Sequence, residues 1–181
     1  MKKIITRLSF NTKGWQEPSG PLGKSKNQIH EHVYGFVFEE WLFNKAFSSK
    51  EDKNAKWHFG YIEGIHKNFN LGDDNYPLEL FTIDTRTKTR YLVAEIKEWK
   101  AISQNESTIL INQNPTLINQ MQNDLQAIAN PNALGKFMQH HNNQNGYQLF
   151  NIKFKNWEFI NRAIPATSAI CKMNRFWLHR V

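Results

Sequence analysis

The segment Tyr34–Asn44, with the sequence YGFVFEEWLFN, constrains this chain most, because it places two adjacent carboxylates among five aromatic rings. A half-buried strand exposes every second residue and an amphipathic helix exposes one face, yet the apolar residues here fall on both sides of either pattern. Some of these rings are therefore expected to line something other than a one-sided core. Aromatic walls with a few fixed polar groups are typical of a pocket for a flat, hydrogen-bonding ligand, and nucleobases are the leading candidates.

Composition and charge narrow the class of protein and of partner. The 181 residues are 40% hydrophobic and 13% aromatic, which predicts a single globular domain over 1–181. The formal net charge of +7 favours a polyanionic partner such as nucleic acid. A single cysteine, Cys171, excludes an internal disulfide and a cysteine-rich zinc site. Because the sequence has neither a signal-peptide core nor a long apolar run, we expect a cytoplasmic protein without a membrane span.

The pattern along the chain predicts an α+β fold of about six strands with inserted helices, around a mostly antiparallel, barrel-like sheet. The strand-like runs are Lys3–Phe10, Tyr34–Phe38, Trp57–His66, Leu78–Asp84, Arg90–Ile102, Tyr147–Ile160 and Ala169–His179. A short helical piece is expected at Glu39–Phe43. Between Asn114 and His141 apolar residues recur three and four positions apart, which predicts amphipathic helix divided at Asn130-Pro131.

The segment Asn11–His32 is predicted to be a long loop, because glycine and proline recur through it. Loops of this length inside a compact domain are usually functional or disordered, and the tryptophan and lysines here favour function. Lysine side chains neutralise phosphates and give affinity without sequence information. The residues predicted to contact a nucleic-acid backbone are Lys13, Ser19, Lys24, Lys26 and Asn27.

The predicted base pocket combines rings for stacking with acids for reading a base edge. Stacking of one base on an aromatic side chain contributes about 1–3 kcal/mol. A carboxylate of Glu39 or Glu40 is expected to accept a hydrogen bond from the base, whereas Phe36, Phe38 and Leu42 are expected to be core. The predicted pocket residues are Trp15, Tyr34, Glu39, Glu40, Trp41, Phe43 and Tyr61.

A nuclease motif is the main competing interpretation. Asp84, followed by Glu95 and Lys97, matches a loose pattern in which acids hold Mg²⁺ and a lysine positions the attacking water. If Thr85–Thr89 is a hairpin loop, however, Asp84 and Glu95 lie about 16 Å apart, too far to share a metal. In that register Glu95 faces Glu79, so these two acids stay open as an alternative pair of metal ligands. An exposed strand face explains these residues more simply, so we expect no catalytic residue, no metal and no cofactor.

Several runs of sequence carry a family resemblance. They are NTKGWQEPSGPLGKSKN from Asn11 to Asn27, YGFVFEEWLF from Tyr34 to Phe43, FGYIEGI from Phe59 to Ile65, RYLVAEIK from Arg90 to Lys97 and RFWL from Arg175 to Leu178. In these runs the chain resembles the N-terminal domains of modification-dependent restriction endonucleases of the EVE–HNH type. The resemblance spans most of the chain and is weak over Ser103–Gly146.

The resemblance implies a PUA-like fold, which is a small, strongly curved β-barrel with helices around it. It also implies a reader that flips a modified base, often a cytosine or an adenine and here expected to be a cytosine, out of double-stranded DNA, at a cost of a few kcal/mol. In that family an HNH nuclease follows the reader. No HNH segment precedes Val181 here, so cleavage is expected from an associated nuclease domain or subunit of a restriction system. Because PUA-like folds also occur in RNA readers, RNA binding stays open as an alternative.

Overall fold

The computed structural model describes residues 3–26, 30–48, 56–67, 76–128, 130–142, 148–173 and 177–181. Within these ranges the chain has an α+β fold built on one six-stranded sheet, in the order β2-β5-β4-β3-β1-β6. The strands are β1 Ile4–Arg7, β2 His58–Gly60, β3 Leu78–Ile83, β4 Arg90–Ala101, β5 Ile152–Ile164 and β6 His179–Arg180. The predicted α+β class is confirmed, and the sheet is open.

The helices of the described ranges are α1 Glu63–Lys67, α2 Gln104–Gln113, α3 Thr116–Ala127 and α4 Pro131–Asn142. The last two confirm the division of the amphipathic segment at Asn130-Pro131. Helix α2 was not predicted, because its buried face is small and its apolar pattern is weak. Its start is nevertheless marked in the sequence, since Ser103 and Glu106 form a capping box that pairs the first free amides of the helix.

Strands β3 and β4 form the predicted antiparallel hairpin. Ile83 lies opposite Arg90, one residue from the predicted pairing of Asp84 with Arg90. A bulge beside Leu80 then shifts the register by one residue, so that Glu79 lies opposite Glu95 as predicted. The predicted register is therefore one residue off near the turn and correct at Glu79. The sequence gives no signal for the bulge.

The prediction of a strand at Tyr34–Phe38 is wrong. The chain forms a π-helical turn at His30–Tyr34, reverses at Gly35 with a φ of 73°, and enters a 3₁₀ turn at Phe38–Trp41. The Glu40 carboxylate accepts the amide hydrogen of Val37, which a neighbouring strand would otherwise bind. Local side-chain bonding has therefore replaced sheet pairing here.

Two other predicted strands are shorter than expected. The run Trp57–His66 forms only β2 before helix α1 begins at Glu63. The run Ala169–His179 contains a 3₁₀ turn at Ala169–Lys172, and its strand β6 begins only at His179. For the strand predicted from Tyr147, the first residue lies outside the described part of the chain, and β5 begins at Ile152.

Two hydrophobic clusters form the interior, and the segment Tyr34–Asn44 lies between them. Leu42 and Phe43 pack into the first, which lies against one face of the sheet. The rings of this segment that pack into the second, against α3 and α4, are Tyr34, Phe36, Phe38 and Trp41. The apolar residues on both sides of the segment are explained by these two cores.

The outer half of β5 has an irregular backbone. On the side of β5 away from β4, strand β2 pairs only with Ile152–Phe154. Beyond Phe154, no described strand lies along this edge of β5. Asn156 and Asn161 have positive φ values of 53° and 44°, a conformation that asparagine tolerates better than most residues. As a result, Phe154 and Trp157 both contact the same ring, that of Phe43, although they are three residues apart.

Candidate functional site

Three buried carboxylates, of Glu31, Glu39 and Glu40, tie the long N-terminal loop to the rest of the fold; we call them the carboxylate network. Glu39 accepts the backbone amides of Ser9 (2.8 Å) and Glu63 (3.0 Å). Glu31 accepts the hydroxyl of Ser9. Each carboxylate therefore replaces its lost hydration with internal donors, as buried charges must.

Glu40 is the most heavily bonded member of the network. Its Oε2 accepts the ammonium of Lys24 at 2.6 Å, and its Oε1 accepts Asn11 Nδ2 at 2.8 Å and the amide of Ser19 at 2.9 Å. The Lys24 ammonium also donates to the carbonyl of Gly35 at 3.0 Å. Both side chains of this ion pair are at most 1% exposed. The pair fixes the position of the loop and has no free hydrogen-bonding edge to offer a base.

Four of the rings predicted for the pocket lie in the core. Trp15, Trp41, Phe43 and Tyr61 are each at most 3% exposed. The indole of Trp41 donates to Asp124 at 2.8 Å, that of Trp15 to the carbonyl of Ser9 at 3.1 Å, and the hydroxyl of Tyr61 to Glu63 at 2.7 Å. The polar atoms of Trp15, Trp41 and Tyr61 are therefore hydrogen-bonded within the protein.

Tyr34 differs from the other predicted pocket rings, because it is only partly buried. The Lys136 ammonium of α4 lies 5.3 Å from its ring centre, within cation–π range, and the His30 imidazole lies 5.0 Å away. This ring therefore joins the turn at His30–Tyr34 to α4.

The predicted backbone contacts are also separated. Lys24 is buried in its ion pair, and Ser19 donates to Glu40 through both its amide and its hydroxyl. Lys13 and Lys26 are at or near the surface, with Lys13 paired to Glu17. Asn27 lies outside the described residues. Of the four that the structure describes, Lys13 and Lys26 have exposed side chains.

Two exposed aromatic rings lie close together on β5, directly above two of the predicted pocket rings. Trp157 is 37% exposed and Phe159 is 41% exposed; we call this pair the β5 platform. Trp157 stacks on Phe43 with ring centres 4.6 Å apart and planes 23° apart. Phe159 meets Phe43 edge-on at 5.8 Å and lies 6.3 Å from Trp15. Phe43 and Trp15 are the floor of this platform.

Sequence reasoning missed the platform because the run from Lys155 to Phe159 reads as an ordinary strand. Regular alternation places Phe154 and Trp157 on opposite faces of the sheet. The left-handed turn at Asn156 changes that phase and brings both rings to Phe43. An asparagine followed by an aromatic residue inside a strand was the available signal.

The residues of the nuclease interpretation do not assemble a metal site. Asp84 binds the Arg86 guanidinium at 2.7 Å and 3.0 Å, and this hydrogen bonding holds the pKa of the Asp84 carboxyl below its usual value. Glu79 accepts a hydrogen bond from the Lys3 ammonium at 2.6 Å, and Glu95 lies opposite Glu79 on the neighbouring strand. Within the described ranges, no group of three or more His, Cys, Asp or Glu side chains is placed to hold a metal ion.

Comparison with known proteins gives no family for this chain. No family model, no curated protein and no solved structure matches it. The resemblance to EVE domains therefore stays a prediction from the sequence. Among the described residues, no helix is long and apolar enough to cross a membrane.

An open depression of about 390 Å³ lies between α3 and α4. Leu125, Ile128, Pro131 and Leu134 supply its apolar wall, with Gln126 and Asn130 at its polar edge. It includes none of the predicted pocket residues and lacks the ring faces that stacking on a base requires. We therefore centre the candidate site on the β5 platform.

A buried histidine beneath the platform makes stability depend on pH. His58 packs on Phe154 at 4.9 Å, and burial lowers its pKa to about 4. Since the unfolded chain binds this proton near pH 6.5, stability is full above that pH and falls as the pH drops towards 4. We expect His58 to contribute a loss of about 2 kcal/mol between pH 6.5 and 5.

Urea denaturation at several pH values measures this effect. His58→Phe, which cannot titrate, should make the profile shallower and leave the contributions of His30 and His140, whose pKa values burial also lowers. The exposed His32→Phe change is the control and should leave most of the profile unaltered. Equal pH dependence in the wild type and His58→Phe would contradict the assignment.

Proposed function

We propose that this chain is a DNA-binding domain that holds a base, extruded from the duplex, on the β5 platform. The observation that carries the proposal is the indole of Trp157, which has one face stacked on Phe43 and remains 37% exposed. A ring supported from below and open above is suited to stack on a base. The reader role implied by the resemblance to EVE domains is part of the same proposal.

The energies of stacking and extrusion support this use of the platform. Extruding one base from a duplex costs a few kcal/mol, and least where the base is mismatched or damaged. Stacking on an aromatic side chain returns about 1–3 kcal/mol for each base. Two rings on a rigid floor, Trp157 and Phe159, therefore offset much of the cost of extrusion. Contacts with the edge of the base supply the remainder and make the choice among modifications.

Charge supports a nucleic acid as the partner. The chain carries a formal net charge of +7, and phosphate contacts provide most of the sequence-independent affinity for DNA. Exposed lysines lie near the platform along the chain: Lys45 is two residues from Phe43, and Lys13 is two residues from Trp15. These side chains are suited to steer DNA towards the rings. A nuclease domain or subunit would act on the DNA that this domain selects.

The test is a binding measurement with Trp157→Ala and a matched control. Duplexes carrying cytosine, 5-methylcytosine or 5-hydroxymethylcytosine at one position are titrated by fluorescence anisotropy at fixed salt. Loss of one stacking contact should weaken binding to the preferred duplex about 5- to 150-fold. Trp177→Ala, which removes another exposed tryptophan, should change the affinity less than two-fold. Thermal unfolding of both variants shows whether the loss follows from misfolding.

Equal affinity of the wild type and Trp157→Ala for every duplex would overturn the platform. Tighter binding to a structured RNA than to any duplex would replace DNA by RNA as the partner. Preference for one modified duplex, lost in Trp157→Ala and kept in Trp177→Ala, is the expected result.

A further inference from the structure

The sheet carries a second aromatic and basic group that the platform does not include. It consists of Trp57, Lys100, Lys153 and Lys155, and we call it the Trp57 cluster. The ammonium groups of Lys155 and Lys153 lie 5.0 Å and 5.8 Å from the centre of the Trp57 ring. Lys100 of β4 lies directly opposite Lys153 of β5. Two lysines therefore lie over one partly buried indole, and a third lies opposite one of them on the neighbouring strand.

This arrangement is unfavourable by itself, because like charges placed opposite each other in a sheet destabilise it. Lys155 pairs with Glu98 at 3.0 Å and Lys153 with Glu106 at 3.4 Å. Both carboxylates are about half exposed, and such surface pairs contribute about 0–1 kcal/mol. Lys100 has no carboxylate partner among the described residues. The cluster therefore retains positive charge that an incoming anion is able to bind.

The cluster and the platform lie on opposite faces of the same strand. Phe154 packs on Phe43 beneath the platform, whereas its neighbours Lys153 and Lys155 contact Trp57. Lys155 and Trp157 are two residues apart, which is about 7 Å along a strand. Between the two faces runs the edge of β5 that no described strand covers. A nucleic-acid strand that crosses this edge would meet the lysines with its phosphates and the platform with a base.

We propose that the Trp57 cluster binds the phosphodiester backbone of the same nucleic acid whose base lies on the β5 platform. This inference rests on the proposed function. It assigns the two faces different roles: the cluster supplies salt-dependent affinity for any sequence, and the platform supplies the preference for one base. The indole of Trp57 holds the lysine stems in position and limits their motion before DNA arrives.

The test compares Lys100→Gln and Lys153→Gln with Lys172→Gln, an exposed lysine in the 3₁₀ turn at Ala169–Lys172. All three changes remove one positive charge. Affinity for modified and plain duplexes is measured between roughly 50 and 200 mM KCl, a range over which affinity that depends on phosphate contacts falls steeply. Each cluster variant should make the slope of log K against log salt, where K is the association constant, less negative by about 0.9. Relative to 1 M salt, this corresponds to about eight-fold weaker binding at 0.1 M. The ratio of the affinities for modified and plain DNA should stay constant.

A change in slope no larger than that of Lys172→Gln would overturn the role of the cluster, while binding that still depends on Trp157 would leave the proposed function intact. A less negative slope with a lost preference for modified DNA would also contradict the division of roles. If the wild type binds neither duplex DNA nor single strands at 50 mM KCl, both the proposed function and this inference fall.

Discussion

Replacing Glu40 by glutamine is expected to lower the free energy of unfolding by about 3–5 kcal/mol, because it leaves the Lys24 ammonium buried without a countercharge. Lys24 is 1% exposed at its side chain, and its remaining partner is the carbonyl of Gly35. The total stability of a domain is typically about 5–15 kcal/mol, so a loss of this size removes a large fraction of it. Urea denaturation of the purified variant measures the change.

The exposed Glu17→Gln change is the control for Glu40→Gln. Glu17 also pairs with a lysine, Lys13, but both side chains are about 40% exposed, so its loss should cost less than about 1 kcal/mol. Where Glu40→Gln does not fold, the double variant Glu40→Gln with Lys24→Met should recover folding, because it removes the unpaired charge as well. Additive effects of the two single changes would show that the ion pair is not coupled and would contradict the prediction.

Replacing Trp41 by alanine is expected to cost about 3–5 kcal/mol, the range seen for large aromatic residues removed from a core. Trp41 is 1% exposed and contacts Phe36, Phe38 and Phe137. The change also removes the indole that donates to the buried carboxylate of Asp124. Denaturation in urea should show a midpoint far below that of Trp177→Ala, which removes an exposed ring.

Trp41→Phe separates stability from recognition at this position. It keeps one aromatic ring in the core but loses part of the indole volume and the hydrogen bond to Asp124, so we expect a cost of about 1–3 kcal/mol. Its preference among DNA modifications should equal that of the wild type, since the ring lies in the core against α4. A stable Trp41→Phe variant that no longer distinguishes modified from plain DNA would restore Trp41 as a base-reading residue.

The elements of the fold with strong local signals could be predicted from the sequence. The hairpin of β3 and β4 follows from two alternating runs and a polar turn, and α3 and α4 follow from their apolar period. The helical piece after Phe38 was also expected, in the place where the 3₁₀ turn lies. These elements are determined mainly by residues close together in the sequence, so one sequence is sufficient to predict them.

The candidate site was less predictable, because it depends on contacts between distant residues. Glu40 reads as a free acid in the sequence, but its partners Asn11 and Lys24 come from a loop that folds back on it. Trp157 reads as a strand residue, and only the backbone of Asn156 turns it towards Phe43. The predicted rings Trp15 and Phe43 were near the exposed surface in space, one layer beneath it.

The left-handed asparagines of β5 have a consequence for the behaviour of the protein at high concentration. A long, flat strand edge with exposed aromatic residues is a template onto which strands of other molecules add, and such edges lead to aggregation. Asn156 and Asn161 bend β5 at two points, so the regular stretch between them is only Trp157–Ile160. Too few consecutive amides are aligned there to hold a foreign strand firmly. The bend that places Trp157 on Phe43 thus also interrupts the strand edge onto which another molecule could add.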